Sequence, residues 1–108
     1  MKFHSLGEAD RYDELLTWLA AGHISDLSTQ IPFVIWKGER TKKVVKYVAD
    51  YRYFEGALEI VEDFKGKITQ EFKLKAKLFK ESFPNIELRI SKRAPHGRSG
   101  QSFVLSRL

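Results

Sequence analysis

Asp50, Asp63 and Lys65 are the residues of this chain whose types and spacing could do chemistry. Hydrolysis of a phosphodiester asks for a divalent cation held by carboxylates, a water polarised by that cation, and a fixed positive charge beside the phosphate. Asp50 and Asp63 can hold Mg²⁺ or Mn²⁺, and Lys65, two residues beyond Asp63, can supply the charge. Aspartate is depleted in strands, so Asp50 in a run of strand-forming residues needs a reason.

The segments that must position these groups are residues 47–54 and 57–65, both rich in β-branched and aromatic residues and joined by Glu55-Gly56. With that dipeptide as the hairpin loop, Phe54 faces Ala57, Arg52 faces Glu59 and Asp50 faces Val61. Side chains alternate along a strand, so Asp50, Val61, Asp63 and Lys65 share one face and Glu62 points to the other. Asp50 and Asp63 are then diagonal neighbours, with backbones roughly 7–8 Å apart and carboxylates able to converge. Arg52 and Glu59 form a cross-strand pair with no catalytic role.

Around this hairpin the pattern is regular. Residues 5–21 read as a helix with Tyr12, Leu15, Leu16 and Leu19 on its apolar stripe and Gly22 as terminator. Ser5 and Glu8 form a capping box at its start. Residues 30–36 predict a first strand with Pro32 near its beginning, and residues 37–43 a polar loop. Thr69 caps a second helix running to about Phe83, with Phe72, Ala76, Phe79 and Phe83 facing the core. Residues 86–90 form a last strand. The expected fold is α/β: a single-domain αβββαβ core with a mixed four-stranded sheet, an antiparallel meander followed by a parallel crossover. Whether the helices share a face of that sheet is left open. Residues 1–90 form the domain, and residues 91–108 a basic tail or a short extra strand at Phe103, Val104 and Leu105.

Composition narrows the function classes. At 43% hydrophobic and 31% charged residues, the chain suits a globular domain and not a disordered tail. No apolar run approaches the roughly 20 residues of a membrane span, and the first residues lack the apolar stretch of a signal peptide, so a cytoplasmic location is expected. The absence of cysteine excludes disulfides, thiolate catalysis and zinc knuckles. The net charge of +5 is uneven: Lys2 and Arg11 against Glu8, Asp10, Asp13, Glu14 and Asp26 leave residues 1–36 at −3 and residues 37–108 at +8. A basic half of that kind suits a polyphosphate partner.

Asp50 on the second strand and Asp63-Phe64-Lys65 on the third, in this element order, resemble the PD-(D/E)XK nuclease superfamily and within it small phage and prophage proteins. Phe3-His4-Ser5 with Glu8, Tyr47-Val48-Ala49-Asp50, Glu62-Asp63-Phe64-Lys65-Gly66 and the run from Phe72 to Phe79 carry the resemblance. It implies a restriction-endonuclease-like core and metal-dependent cleavage of DNA, in the host cytoplasm if the protein is phage-encoded. Asp50 and Asp63 match the metal carboxylates, the Phe64 carbonyl a backbone ligand, Lys65 the catalytic lysine, and Glu8 an acidic residue of the first helix. Ala49 stands where the superfamily has the proline that names its motif; that proline shapes backbone and carries no chemistry.

Phosphate contacts are expected from three basic groups: Lys37, Arg40, Lys42 and Lys43 in the loop; Lys73, Lys77 and Lys80 as a helix ridge; Lys92, Arg93 and Arg98 in the tail. Lys75, off the ridge, is expected to point back toward the site. Leu74 and Leu78 mark a third helix sector that would suit a homodimer. The expected function is a Mg²⁺- or Mn²⁺-dependent endonuclease, nicking or selective for branched or Holliday-junction DNA, because so short a chain has little room for a sequence-reading module. The rivals are a catalytically inactive DNA-binding relative and a protein whose charged strands merely pair with each other.

Overall fold

The helices begin where the sequence caps them. In the computed structural model, which describes residues 3, 5–94 and 103–107, α1 (Leu6–Ala20) starts at Ser5, whose Oγ accepts the Glu8 N–H at 3.1 Å. The second helix, α2 (Gln70–Ser82), starts at Thr69, whose Oγ accepts the Phe72 N–H at 3.1 Å. Between and after them lie β1 (Ser25–Lys37), β2 (Val44–Glu55), β3 (Leu58–Phe64), β4 (Glu87–Arg93) and β5 (Phe103–Arg107). No helix among the described residues is long and apolar enough to cross a membrane.

All five strands form one sheet in the order β1-β2-β3-β4-β5. The meander β1-β2-β3 is antiparallel, β3 and β4 run parallel across α2, and β5 returns antiparallel to β4. The sheet therefore has five strands where the sequence predicts four. Residues 91–93 belong to β4, with Lys92 beside Val104 and Arg93 beside Phe103. Of the two alternatives for the C-terminal stretch, residues 103–107 take the strand, anchored by Phe103 at 6.0 Å edge-on to Phe64.

The helices cover opposite faces. Phe72, Ala76 and Phe79 of α2 close a core with Ile35, Tyr47, Ala49, Val61, Leu88 and Ile90. Leu15 of α1 closes a second with Ile24, Tyr51, Tyr53 and Ile60. The stripe of α1 departs from expectation: Gly7, Glu8, Arg11 and Leu15 are buried, whereas Leu16 and Leu19 are exposed. Arg11 lies inward because Glu62 across the interface satisfies it.

Strand β2 changes face at Asp50. Ala49 belongs to the α2-side core and Tyr51 to the α1-side core, although residues two apart on a regular strand point the same way. The partner strand turns over with it: Thr29 pairs with Tyr51 and Ile31 with Ala49, and Gln30 between them has φ 54°. A left-handed backbone at a residue other than glycine is uncommon and strained, and here it stands across from Asp50.

Candidate active site

The β2–β3 hairpin closes through Gly56 and Ala57, with Gly56 at φ 59°, and not through Glu55-Gly56. Arg52 therefore pairs with Val61, Phe54 with Glu59 and Tyr51 with Glu62, two residues away from the expected register. An even shift keeps every side chain on its face. The pairing ends at Tyr51 and Glu62, one residue short of Asp50 and Asp63. Arg52 and Glu59 still pair, Nε to Oε2 at 2.6 Å, but along the diagonal.

At this step carboxylates take over from the backbone ladder. The Asp50 N–H donates to Asp63 Oδ1 at 2.9 Å, and the Phe64 N–H donates to Asp50 Oδ2 at 2.9 Å. Each aspartate thus accepts a backbone proton from the other strand, which wedges two carboxylates where β2 and β3 part. Beyond them β3 leans on β4, with the Lys65 N–H donating to the Ser91 carbonyl at 2.9 Å.

Asp63 is 2% exposed, and burial pushes its carboxyl up to about 6. The Asp50 N–H and the charge of Lys65 work against that rise, while the charge of Glu8 adds to it. The Lys65 ammonium lies 4.7 Å from the centre of the Phe72 ring. Lys65 and Lys75 line one hollow of about 230 Å³ with Thr69, Glu71 and Phe72, and Lys75 meets Glu71 at 3.4 Å. Lys75, expected to point toward the site, shares this hollow with Lys65 and pairs with the exposed Glu71.

Glu8 is buried at the edge of this site. Its turn of α1 approaches the end of β3 closely because Gly7 has no side chain: a Cβ there would stand 2.4 Å from the Phe64 ring. The Tyr51 hydroxyl donates to the Glu8 carbonyl, pinning the first turn of α1 to the residue after Asp50. Ser5 caps the helix at the Glu8 N–H as expected, so Glu8 both occupies a capping position and contributes charge at Asp63. Among the described residues no three His, Cys, Asp or Glu side chains converge as a metal-holding group. The donor set on offer is two carboxylates and the Phe64 backbone, with Glu8 behind them.

A second charged cluster escapes sequence reasoning. Arg11 donates through Nε to Glu62 Oε2 at 2.7 Å and through Nη2 to Oε1 at 2.9 Å, and the Tyr53 hydroxyl donates to Oε1 at 2.6 Å. Arg11 also reaches Glu14 at 2.5 Å and lies 4.7 Å over the Trp18 ring. Burial works to lower the Arg11 pKa, but the hydrogen bonds and charge of Glu62 raise it overall. The available signal was position: Arg11 lies one turn after Gly7 and one before Leu15, in line with the buried stripe.

The basic residues divide by face. Lys73, Lys77 and Lys80 line a groove of about 380 Å³ along α2 with Ala76 and Glu81. Lys37, expected in the loop, ends β1 paired with Val44, and the exposed loop bearing Arg40, Lys42 and Lys43 joins β1 to β2 at the other end of that helix, where Ser82 Oγ donates to the Ile35 carbonyl at 3.3 Å. Lys92 alternates with Ile90 and so falls on the α2 face. Arg93 instead turns to the α1 side and pairs with Asp10 at 2.8 Å, so a free phosphate contact is not its state here. Arg98 and His4 lie outside the described residues. Leu78 packs on the core, leaving Leu74, at 60% exposure, as the outward member of the expected dimer sector.

The sequence profile of the DUF1064 family, described as a protein of unknown function, matches residues 1–98, and the chain belongs to that family. No curated protein matches it.

Proposed function

We propose that this DUF1064 protein is a Mg²⁺- or Mn²⁺-dependent DNA endonuclease built on the PD-(D/E)XK plan. The observation that carries the reading is the reciprocal bonding of Asp50 and Asp63, each carboxylate accepting a backbone N–H of the other's strand just past the last paired residues of β2 and β3, with Lys65 two residues beyond Asp63. The residues present fit a divalent cation. Two carboxylates lie at the same step of neighbouring strands, and the buried Asp63 carboxyl, held up near 6 by desolvation, is a charge that a cation would stabilise. Asp50, Asp63, the Phe64 carbonyl and Glu8 would hold it. The ion supplies Lewis acidity that brings a bound water toward neutral pKa.

The chain's own groups do the rest. The backbone bonds to Asp50 and Asp63 fix both carboxylates before any ligand arrives, which is the preorganisation that electrostatic catalysis needs. Lys65 neutralises charge developing on the phosphate oxygens. Lys75 and Lys92 extend positive charge beside it, and the α2 ridge leads the nucleic-acid backbone away. Branched or junction DNA is the favoured substrate, and a homodimer would bring the two sites a symmetric junction requires.

The test is a panel of supercoiled plasmid, linear duplex, single-stranded, flap and four-way DNA, each with Mg²⁺, Mn²⁺ or chelator. Metal-dependent strand breaks with a preference for branched forms are expected. Binding to all of these with no cleavage under either metal would leave the catalytically inactive DNA-binding relative.

A further inference from the structure

Trp36 is 49% exposed near the far end of the β1–β2 hairpin, an unusual place for the largest side chain. A register shift separates Val34, paired with Lys46, from Trp36, paired with Val45. Such a bulge re-aims a side chain. Directly opposed residues share a face, and Val45 packs on the α2-side core, so the bulge brings Trp36 onto the α2 face. Asp63, which alternates with Val61 of that core, and the lysine ridge of α2 are on that same face.

The surroundings of the indole are cationic. Lys37 follows it directly, and the exposed Arg40, Lys42 and Lys43 complete the loop. A Cβ at Gly38 would stand 3.2 Å from Trp36 Cη2, so the absent side chain lets the ring lean on the loop while half its surface stays open. An open aromatic ring next to a loop of Arg40, Lys42 and Lys43, with Glu39 its one acidic residue, has the composition of a single-strand platform, where bases stack and the backbone is held electrostatically.

We propose that Trp36 is a stacking platform for an unpaired base of DNA whose backbone runs along Lys80, Lys77 and Lys73 to Lys65. The inference rests on the nuclease reading above and adds what selects the substrate: an unstacked base some distance from the cut. Val45 and Asp50 are five residues apart on β2. That is roughly 17 Å along a strand. It corresponds to about five nucleotides at ~3.4 Å each.

The experiment measures affinity, in Ca²⁺, for two labelled duplexes of one length, one fully paired and one with three unpaired thymines at its centre. Wild type, Trp36→Ala and Trp36→Phe are compared, with sedimentation of each protein. Trp36→Ala should weaken binding to the interrupted duplex roughly ten- to a hundredfold. The paired duplex should change less than about twofold, and Trp36→Phe should restore most of the loss. Equal losses on both duplexes, or no loss on the interrupted one, overturn the platform. So does a loss that accompanies conversion of a dimer to monomer, since Trp36 would then contact a second copy. Wild-type plasmid cleavage in Mg²⁺ is scored separately. A selective Trp36 effect without cleavage removes the nuclease reading and leaves the platform standing.

Discussion

Glu62 and Asp63 are adjacent, both buried, and treated in opposite ways. Glu62, fully shielded, receives two bonds from Arg11 and one from the Tyr53 hydroxyl. Asp63, on the other face, receives the Asp50 N–H and senses Lys65, and its carboxyl is pushed up to about 6. Burying a charge is tolerable when partners replace the lost water and costly when they do so in part. The first carboxylate is thus structural, tying α1 to the sheet. The second is held in a state that a cation would relieve. The two are also coupled, because the helix that Arg11 locks in place carries Glu8 to the edge of the site.

The largest effect should come from removing the under-compensated member. Asp63→Asn should reduce Mg²⁺-dependent cleavage by at least about three orders of magnitude while leaving DNA affinity equal or higher, since a charge that repels phosphate is gone. Lys65→Ala should cost about two orders in rate, the scale of one charge-stabilising group. Single-turnover cleavage with parallel binding curves reads both, and full activity in Asp63→Asn would erase the contrast between the two carboxylates.

Breaking the compensated member should act on stability instead. Arg11→Leu strands Glu62 beside Tyr53 and should lose about 3–5 kcal/mol. Arg11→Leu with Glu62→Leu should recover part of that, because no charge remains unpaired. Urea denaturation of wild type, Arg11→Leu, Glu62→Leu and the double variant decides it; a double variant worse than the sum of the singles would show that the pair does more than satisfy itself.

A smaller effect separates the carboxylates by pH. Asp63 holds its proton more tightly in the fold than in the unfolded chain, so its ionisation opposes folding. The metal-free wild type should lose stability relative to Asp63→Asn as pH rises from about 4 through about 6, by on the order of 2 kcal/mol. Saturating Mg²⁺ should shrink that difference. A wild-type-minus-variant stability that stays flat across this window would mean that Asp63 ionises without strain.

The smallest steps belong to the surface. Changing Lys73, Lys77 or Lys80 to alanine should flatten the log–log salt dependence of DNA binding by roughly one unit each, equally on unrelated sequences. Arg93→Ala should change the slope less, since Arg93 is engaged by Asp10 on the other face. Titrations at several salt concentrations would sharpen the division of the basic residues by face; equal slopes for both would dissolve it.

Local patterns wrote much of this protein into its sequence. Ser5 and Thr69 mark both helix starts, since a hydroxyl that caps needs only its own next turn. The stripe Phe72, Ala76, Phe79 follows from the helical period. What needed the tertiary structure is everything that depends on two segments meeting. The hairpin register differs by two residues because turn chemistry at Gly56 and Ala57 competes with that at Glu55 and Gly56, and both choices preserve the face pattern. Arg11 is buried although it is charged, and its partner, Glu62, is 51 residues away, so only the folded chain shows why. The reversal of β2 at Asp50 appears in no periodicity: it exists because two helices claim opposite faces of one strand, and only the folded chain brings both claims to the same residue.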